Sequence, residues 1–152
     1  MPEIIRAVPA DATLLSEMAA QSFIESHGHS APAKDIDQYV KEKYSKTVLE
    51  AELTDAQNHY HIVYVNKQAA GYSKIVLNAP YESSPASNIA KLERIYLLKS
   101  FYGTGAGTAL FDFNIRLIKA AQQEAVWLFV WTGNERAIRF YKKKGFEIIG
   151  RH

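Results

Sequence analysis

Apolar positions in the first half of the chain follow two periods, one typical of amphipathic helices and one typical of strands. Between Leu14 and Phe23 they recur at helical spacing, shortly after Asp11, a residue type that favours helix starts. In chain order, this half predicts a strand over 3–8, a helix beginning after Asp11, a loop over 26–32, a helix over 35–44, a shorter helix capped by Thr47, and two hairpin strands over 60–65 and 69–77 joined by Asn66-Lys67-Gln68.

The second half alternates strands with helices. After a loop over 78–88, it predicts a strand over 92–98, a glycine loop, a helix to Lys119, a strand over 126–131, a helix over 134–144 ended by Gly145, and a strand beginning at Glu147. Segment 126–131 is nearly all apolar, so we expect it to be buried on both faces. Because parallel strands need helical crossovers, we predict an α/β fold, a mixed central sheet flanked by helices on both faces.

The glycine loop joins a predicted strand to a predicted helix and reads Tyr102-Gly103-Thr104-Gly105-Ala106-Gly107. The first turn of a helix leaves backbone N–H groups without partners, and the helix dipole adds partial positive charge there. Glycines let the backbone turn sharply and let a ligand come close. This order predicts an anion site suited to phosphates, although a plain tight turn is the alternative.

Two common phosphate motifs do not fit this loop. A P-loop requires Lys-Ser or Lys-Thr after the last glycine, whereas Gly107 is followed by Thr108-Ala109. The dinucleotide fingerprint Gly-x-Gly-x-x-Gly is absent in this register. Glu124 roughly meets its demand for an acidic residue about 20 positions after the glycines, but the tail after Glu124 is too short for the remaining βαβ units of a doubly wound sheet.

The loop resembles the acetyl-CoA pyrophosphate motif of the GNAT N-acetyltransferases, (Gln/Arg)-x-x-Gly-x-(Gly/Ala). Gly105 and Gly107 match its small positions, while Tyr102 stands where Gln or Arg is usual. A second block over 134–146, beginning Asn-Glu-Arg-Ala-Ile and continuing Arg-Phe-Tyr-Lys-Lys-Lys-Gly-Phe, resembles the other signature of the family. Together with the Leu-Glu-Arg-Ile-Tyr strand beginning at Leu92 and a Val-Trp pair, it looks most like the PaiA-type polyamine acetyltransferases.

This resemblance implies the GNAT fold, in which splayed parallel strands admit the cofactor, and it implies acetyl-CoA as co-substrate. Backbone N–H groups of the strand before the loop would hold the pantetheine arm and the thioester carbonyl. A hydrogen-bond donor aimed at the developing oxyanion is often the largest single contribution to catalysis. The cofactor-binding residues implied are Ile95, Tyr96, Leu97, Tyr102, Gly103, Thr104, Gly105, Ala106, Gly107, Thr108, Asn134, Tyr141 and Lys143.

Two residues are candidates for catalysis. The resemblance gives Tyr141 the role of general acid, protonating the departing thiolate of coenzyme A, a role that a positioned phenol can fill. A tyrosine packed in the core is the alternative. Glu93 is the candidate base, because an alkylammonium must lose a proton before its nitrogen attacks; a surface glutamate paired with Arg94 or a lysine is equally compatible with the sequence. Tyr96 is a lesser candidate for the same relay.

Composition narrows the class of protein. The net charge of +2 argues little for nucleic acid, and the chain has no cysteine, no signal-peptide layout at its start and no apolar run long enough for a membrane span. We therefore interpret the protein as cytoplasmic. His27/His29 and His59/His61 are each separated by one residue, but without supporting cysteines or clear acidic partners they predict no metal site.

We expect one domain over 1–152 that acetylates a primary amine, with a polyamine such as spermidine or spermine as the acceptor that the resemblance implies. Peptide amines, or a non-catalytic acyl-CoA-binding module, are the alternatives. Acidic residues that can attract a polycation are Glu25, Asp35, Asp37 and Glu82. GNAT chains usually have a further strand after the Gly150 region, so this chain is either a shortened form or has that strand supplied otherwise. An unpaired strand at Glu147 would favour a homodimer.

Overall fold

The computed structural model describes residues 2–81 and 86–150. The strands are β1 (Glu3–Arg6), β2 (Asn58–Val65), β3 (Gln68–Val76), β4 (Ile89–Leu97) and β5 (Ala125–Trp127), and the helices are α1 (Ala12–His27), α2 (Ala33–Tyr44), α3 (Lys46–Thr54), α4 (Ala106–Ala120) and α5 (Glu135–Lys143). Short 3₁₀ turns cover Pro9–Asp11 and Lys99–Phe101. The order of strands and helices follows the hydrophobic pattern except near the C-terminal end.

The sheet keeps the five strands in chain order, β1-β2-β3-β4-β5. The first four are antiparallel to their neighbours, and β5 is parallel to β4. The predicted hairpin between β2 and β3 is confirmed: Asn66 and Lys67 form a two-residue turn with φ values of 49° and 66°, the left-handed pair that matches strand twist. The mixed sheet is therefore the one that the sequence predicts.

The parallel pair β4/β5 diverges soon after it forms. Its register runs from Ile89↔Ala125 to Lys91↔Trp127, and β4 then continues to Leu97 without β5 beside it. On its other edge β4 stays paired with β3, with a bulge that leaves Glu93 without an opposite residue. One edge of β4 is therefore left without a strand partner among the described residues, and the predicted splay is confirmed.

Helices cover both faces of the sheet, as predicted. Helices α1 and α3 pack on one face, where Leu15, Leu49, Tyr60 and Tyr72 are fully buried. Helix α4 packs on the opposite face, and its Leu110 is fully buried in a cluster with Val63 and Ala70. The face covered by α4 also carries a second cluster built from Ile75, Ala90, Leu92, Phe111 and Ile118.

One predicted strand is too long, and another is absent from the described residues. Segment 126–131 is a strand only as far as Trp127, and instead of being buried on both faces it leaves Phe129 and Trp131 each 52% exposed. Beyond Trp127 the segment has left β4, so no ladder holds it extended. Residues 147–149 form no strand, since no neighbouring strand pairs with them, and Ile148 and Ile149 are exposed.

Helix caps also differ in part from the prediction. Ser45, not Thr47, caps α3, and its Oγ accepts a hydrogen bond from the Val48 N–H at 3.3 Å. Asp11 caps no N–H of α1, because its Oδ2 accepts from the Val8 N–H at 2.9 Å. The predicted cap at Gly145 is confirmed by its φ of 98° and by the Phe146 N–H, which donates to the Tyr141 carbonyl at 3.0 Å.

Candidate active site

The divergence of β4 from β5 opens a cleft of about 940 Å³. The outer half of β4 lies along it, the start of α4 and the start of α5 border one part, and α1 and α2 border the other. It contains most of the predicted site residues: Glu93, Ile95, Tyr96, Leu97, Tyr102, Gly103, Gly105, Gly107, Thr108, Asn134 and Tyr141. Predicted residues that do not line it are Thr104, Ala106 and Lys143.

The glycine loop presents free backbone donors to this cleft. Gly103 and Gly105 have φ values of 81° and 84°, which only glycine adopts without strain. Among the hydrogen bonds of the described residues, none uses the N–H groups of Gly103, Gly105, Gly107 or Thr108. A Cβ at Gly107 would meet nothing nearer than Leu97 Cδ2 at 3.9 Å, so the space above it is open. These N–H groups at the start of α4 fit a phosphate.

A cation that sequence reasoning missed lies at this loop. The guanidinium of Arg136, in the first turn of α5, stacks on the Tyr102 ring at 3.8 Å from its centroid. Tyr102 occupies the motif position where Gln or Arg is usual, so α5 returns a positive charge to that place. No local pattern connects the two residues, although the unusual tyrosine was a signal that a partner was needed.

Asn134 serves as a helix cap and also lines the cleft. Its side-chain oxygen accepts a hydrogen bond from the Ala137 N–H at 3.1 Å. The amide nitrogen has no protein partner among the described residues. Both interpretations of this residue are therefore compatible with one geometry, in which the oxygen caps α5 and the NH₂ group is available to a ligand.

Tyr141 is held by aromatic neighbours while its hydroxyl stays free. The ring lies 5.6 Å from both Phe140 and Phe146 and 6.4 Å from Phe111, measured between ring centroids. Its hydroxyl forms no hydrogen bond with any described residue. Burial, with the nearby Tyr96 phenol, raises the pKa of Tyr141, so the hydroxyl remains protonated at neutral pH. The packing fixes the ring and leaves a hydrogen-bond donor for a ligand.

Glu93 is engaged by two lysines. Its carboxylate forms ion pairs with Lys74 and, at 3.4 Å, with Lys91. Burial alone would raise the pKa of Glu93, but the hydrogen bond and charge of Lys74, with Arg94 and Lys91, hold that pKa below its usual range. A carboxylate with lowered proton affinity is a weak base. The base role of Glu93 stays a prediction, and these contacts favour the ion-pair alternative.

The same ion pairs continue beneath the cleft. Lys74 Nζ lies 2.9 Å from Glu52 Oε1, and Glu52 also accepts a hydrogen bond from the Tyr60 hydroxyl. Arg94 donates to that hydroxyl at 3.0 Å and lies over the Tyr44 ring. Each of these buried charges therefore has partners, as burial of charge requires. The network joins α3 to β3 and β4 and keeps Glu93 in place.

Helices α1 and α2 contribute aromatic side chains that sequence reasoning did not assign. His27 lies between Tyr96 and Trp131, with ring centroids 6.4 Å and 5.8 Å away. Burial, and then the charge of His29, lowers the pKa of His27, so its imidazole is neutral at pH 7. Phe23 and Tyr39 stack beside it at 4.6 Å with an interplanar angle of 16°. At helical spacing these residues resemble ordinary core positions, so nothing in the local sequence indicates a site there.

Three of the four predicted acidic acceptor residues, Glu25, Asp35 and Asp37, do not line the cleft. Glu25 Oε1 accepts a hydrogen bond from the Lys99 N–H at 2.9 Å, and Asp35 and Asp37 are exposed on α2. Glu82 lies outside the described residues. The only carboxylate among the described residues that line the cleft is Glu93.

The second histidine pair lies apart from the cleft. His59 and His61 are on β2, where each has a buried Nδ1 without a hydrogen-bond partner, and His61 packs against the Phe113 ring. Burial, then Arg6 and His59, lowers the pKa of His61 to about 4. Within 2–81 and 86–150, no three His, Asp or Glu side chains lie together as a possible metal cluster, and no helix is long and apolar enough to cross a membrane.

Comparisons with known proteins agree with this geometry. The acetyltransferase (GNAT) family model matches residues 16–146. An uncharacterised N-acetyltransferase of Mycobacterium bovis is 30% identical over 142 residues, which are 92% of this chain and 85% of that protein. The crystal structure of a PaiA N-acetyltransferase from Thermoplasma acidophilum in complex with coenzyme A is 22% identical, with a TM-score of 0.87 over 100% of this chain and 93% of that one.

An aminoglycoside N-acetyltransferase in complex with coenzyme A has the same fold, at 16% identity and a TM-score of 0.75 over 100% of this chain and 91% of that one. Structural likeness at these identities shows the fold, and the family match over most of the chain shows the family. The suspected resemblance is therefore confirmed: the chain belongs to the GNAT family and is an acetyl-CoA-dependent N-acetyltransferase.

Proposed function

We propose that this acetyl-CoA-dependent N-acetyltransferase works by direct attack of a primary amine on the thioester, with Tyr141 as the acid. The observation that carries the proposal is a convergence in one cleft. Free N–H groups of the glycine loop, the unpaired edge of β4 and the free hydroxyl of Tyr141 all face the same opening. Each serves a different part of one thioester substrate.

Acetyl-CoA fits the cofactor end of this cleft. The N–H groups of Gly103, Gly105, Gly107 and Thr108 would bind the pyrophosphate, and Arg136 adds a positive charge beside them. The edge of β4 from Glu93 to Leu97 would bind the amides of the pantetheine arm, as an added strand does. Asn134 is placed to donate to the same arm.

In the reaction, the neutral amine nitrogen attacks the thioester carbonyl and forms the new C–N bond. Backbone N–H groups of β4 are the donors available to the oxyanion. When the tetrahedral species collapses, the C–S bond breaks, its electron pair goes to sulfur, and the Tyr141 hydroxyl donates its proton to that sulfur. The new amide nitrogen still carries one proton more than the product, and loss of this proton restores the Tyr141 hydroxyl. Because burial raises the pKa of Tyr141, the phenol still carries its proton when the thiolate departs.

The acceptor enters as an ammonium, so a base must take one proton from it. Two side chains that line the cleft can do so: Glu93, which the sequence predicts, and His27. The Glu93 carboxylate is engaged in ion pairs with Lys74 and Lys91, whereas the ring nitrogens of His27 have no hydrogen-bond partner among the described residues. We assign the proton to His27.

A polyamine acceptor rests on the sequence resemblance and stays a prediction. One experiment tests the function as a whole: coenzyme A release is measured at saturating acetyl-CoA with spermidine, spermine, an aminoglycoside, a short peptide and simple primary amines. Acetylation of any of them supports the proposed chemistry, and the fastest class identifies the acceptor. If acetyl-CoA binds but no amine is acetylated, the non-catalytic binding module replaces it.

Three further expectations from the sequence are proposals of the same kind: one domain over 1–152, a cytoplasmic location and a homodimer. The structure contains no strand at Glu147, from which the sequence predicts the dimer. Among the described residues, the outer edge of β5 is unpaired, and this edge supports the proposed dimer instead. Light scattering over a range of concentrations decides it.

A further inference from the structure

The acceptor end of the cleft has a wall of aromatic rings. It runs without a break from Tyr39 through Phe23 and His27 to Trp131, with Tyr96 at its base. Successive ring centroids lie 4.6, 4.9 and 5.8 Å apart. Four separate segments supply these rings, namely α1, α2, β4 and the stretch after β5. We call these five residues the aromatic wall.

Much of this apolar surface is open to water. Tyr39 is 40% exposed and Trp131 is 52% exposed, and both line the cleft. Gly133 leaves room for the Trp131 ring, since a Cβ at that glycine would lie 2.5 Å from the ring atom Cζ2. Covering such rings with an apolar ligand removes area from water and allows ring stacking.

The charges around the wall do not suit a polycation. Glu93 is the only carboxylate among the described cleft residues, and its charge is taken up by Lys74 and Lys91. Arg94, next to Glu93 on β4, adds a positive charge to the same lining. Each additional ammonium of a polyamine would lose water here without gaining a counter-charge, which is costly.

The serine hydroxyls of the lining are engaged in hydrogen bonds within the protein. Ser22, Ser26 and Ser30 each donate their proton to a backbone carbonyl of α1, at 3.2, 2.8 and 2.7 Å. An aminoglycoside, with many hydroxyls and ammonium groups, would find few free partners on this side. One neutral imidazole, that of His27, matches one ammonium.

We propose that the aromatic wall binds an acceptor with a single amino group on a planar, apolar body, that is, an arylalkylamine. This inference rests on the proposed function and names its substrate class. The ring of the acceptor stacks in the wall, and its short chain brings the nitrogen to His27 and the thioester. Spermidine and aminoglycosides are the competing acceptors, and a peptide amine is a third.

The first test compares amines at saturating acetyl-CoA by coenzyme A release. We expect 2-phenylethylamine and tryptamine to have kcat/KM values at least about tenfold above those of spermidine and n-hexylamine. Spermidine, an aminoglycoside or a peptide acting fastest overturns the inference while the acetyltransferase function stands. Equal rates for phenylethylamine and n-hexylamine overturn it as well, since the planar ring would then contribute nothing.

The second test changes the wall. Trp131→Leu removes one ring of the wall. Gly133→Ala keeps all five residues of the wall but forces the Trp131 ring to move, because the added methyl group would clash with it. Both should raise KM for phenylethylamine by about tenfold and leave KM for acetyl-CoA unchanged. Tyr81→Leu is the matched control, because Tyr81 is an aromatic residue outside this cleft and should alter neither KM. Unchanged KM values for phenylethylamine in both Trp131→Leu and Gly133→Ala overturn the inference.

The two proposals fail in different ways. If no amine is acetylated although acetyl-CoA binds, the proposed function is wrong, and calorimetric titration of phenylethylamine into the protein–coenzyme A complex still decides the inference. Binding that Trp131→Leu weakens supports the wall as an arylalkylamine site. Absence of binding overturns it.

Discussion

The two ends of the cleft are built from different parts of the chain. At the cofactor end the groups are mainly backbone N–H donors of the glycine loop and the edge of β4, fixed by turn and strand geometry. At the acceptor end they are side chains from α1, α2 and the segment after β5. A site made of backbone is set by a short local motif, whereas a site made of side chains changes with single substitutions. This contrast explains how related sequences can keep one donor and differ in acceptor.

The largest effect should follow from a change between the two ends. Tyr141→Phe keeps the ring and its aromatic packing but removes the hydroxyl to which we assign protonation of the thiolate, so turnover should fall by about 10²–10⁴-fold with acetyl-CoA affinity unchanged. Turnover and melting temperature are measured on one preparation. A variant that melts earlier but acetylates at the parent rate would make Tyr141 a structural residue.

The next effect belongs to the acceptor end and depends on pH. Because the pKa of His27 is lowered below 6.5, the parent should be fully active at pH 7 and lose kcat/KM only as the pH falls through that lowered pKa and the imidazole gains a proton. His27→Gln should lower kcat/KM by about 10²-fold and remove this fall in kcat/KM at acidic pH, the acidic limb of the pH profile.

Glu93→Gln is the matched comparison for His27→Gln. It should keep both the rate and the acidic limb, because the Glu93 carboxylate serves the ion pairs with Lys74 and Lys91. If instead Glu93→Gln removes the activity and His27→Gln does not, the base predicted from the sequence is correct and our assignment is not.

A smaller effect is expected at the cofactor end from Gly107→Ala. Its φ is not in the left-handed region and its Cβ position is open, so the added methyl group should leave the melting temperature unchanged while crowding the pyrophosphate. Loss of one charge-assisted hydrogen bond should weaken acetyl-CoA binding by about tenfold or more. Calorimetric titration measures it, with Ser100→Ala as a control in the exposed turn before the loop. Parent affinity in a folded Gly107→Ala protein contradicts the backbone site.

The smallest effect should come from Arg136→Gln. An exposed cation near a phosphate contributes modestly and is screened by salt, so KM for acetyl-CoA should rise about threefold at low salt and converge with the parent value at high salt. The acceptor KM should stay the same. A change confined to the acceptor would place Arg136 at the other end of the cleft.

The glycine turn and the helix start at the cofactor end were predictable because the information for them is local. Glycines at 103, 105 and 107, directly before a helical pattern, describe a turn and a helix start without reference to the rest of the fold. The acceptor end depends on tertiary contacts such as His27 with Trp131, which periodicity cannot reveal. For the same reason, the sequence could not predict that Arg136 stacks on Tyr102 or that Lys74 is an ion-pair partner of Glu93.

The strand errors have a related cause. Segment 126–131 has strand-like composition throughout, but a strand exists only where a neighbour completes its ladder, and β4 has already separated from it after Trp127. Composition indicates that a segment favours a strand, but pairing with a neighbouring strand determines how many of its residues form one.

Binding of acetyl-CoA along the unpaired edge of β4, as proposed above, would link the supply of acetyl-CoA to the stability of the fold. A ligand that binds only the folded state stabilises it by about 2.7 kcal/mol when its concentration is a hundred times its Kd. Without acetyl-CoA the protein therefore opens more often, and chaperones and proteases act on the opened form. In a cell depleted of acetyl-CoA the amount of this enzyme would decline together with its substrate, with no dedicated regulator.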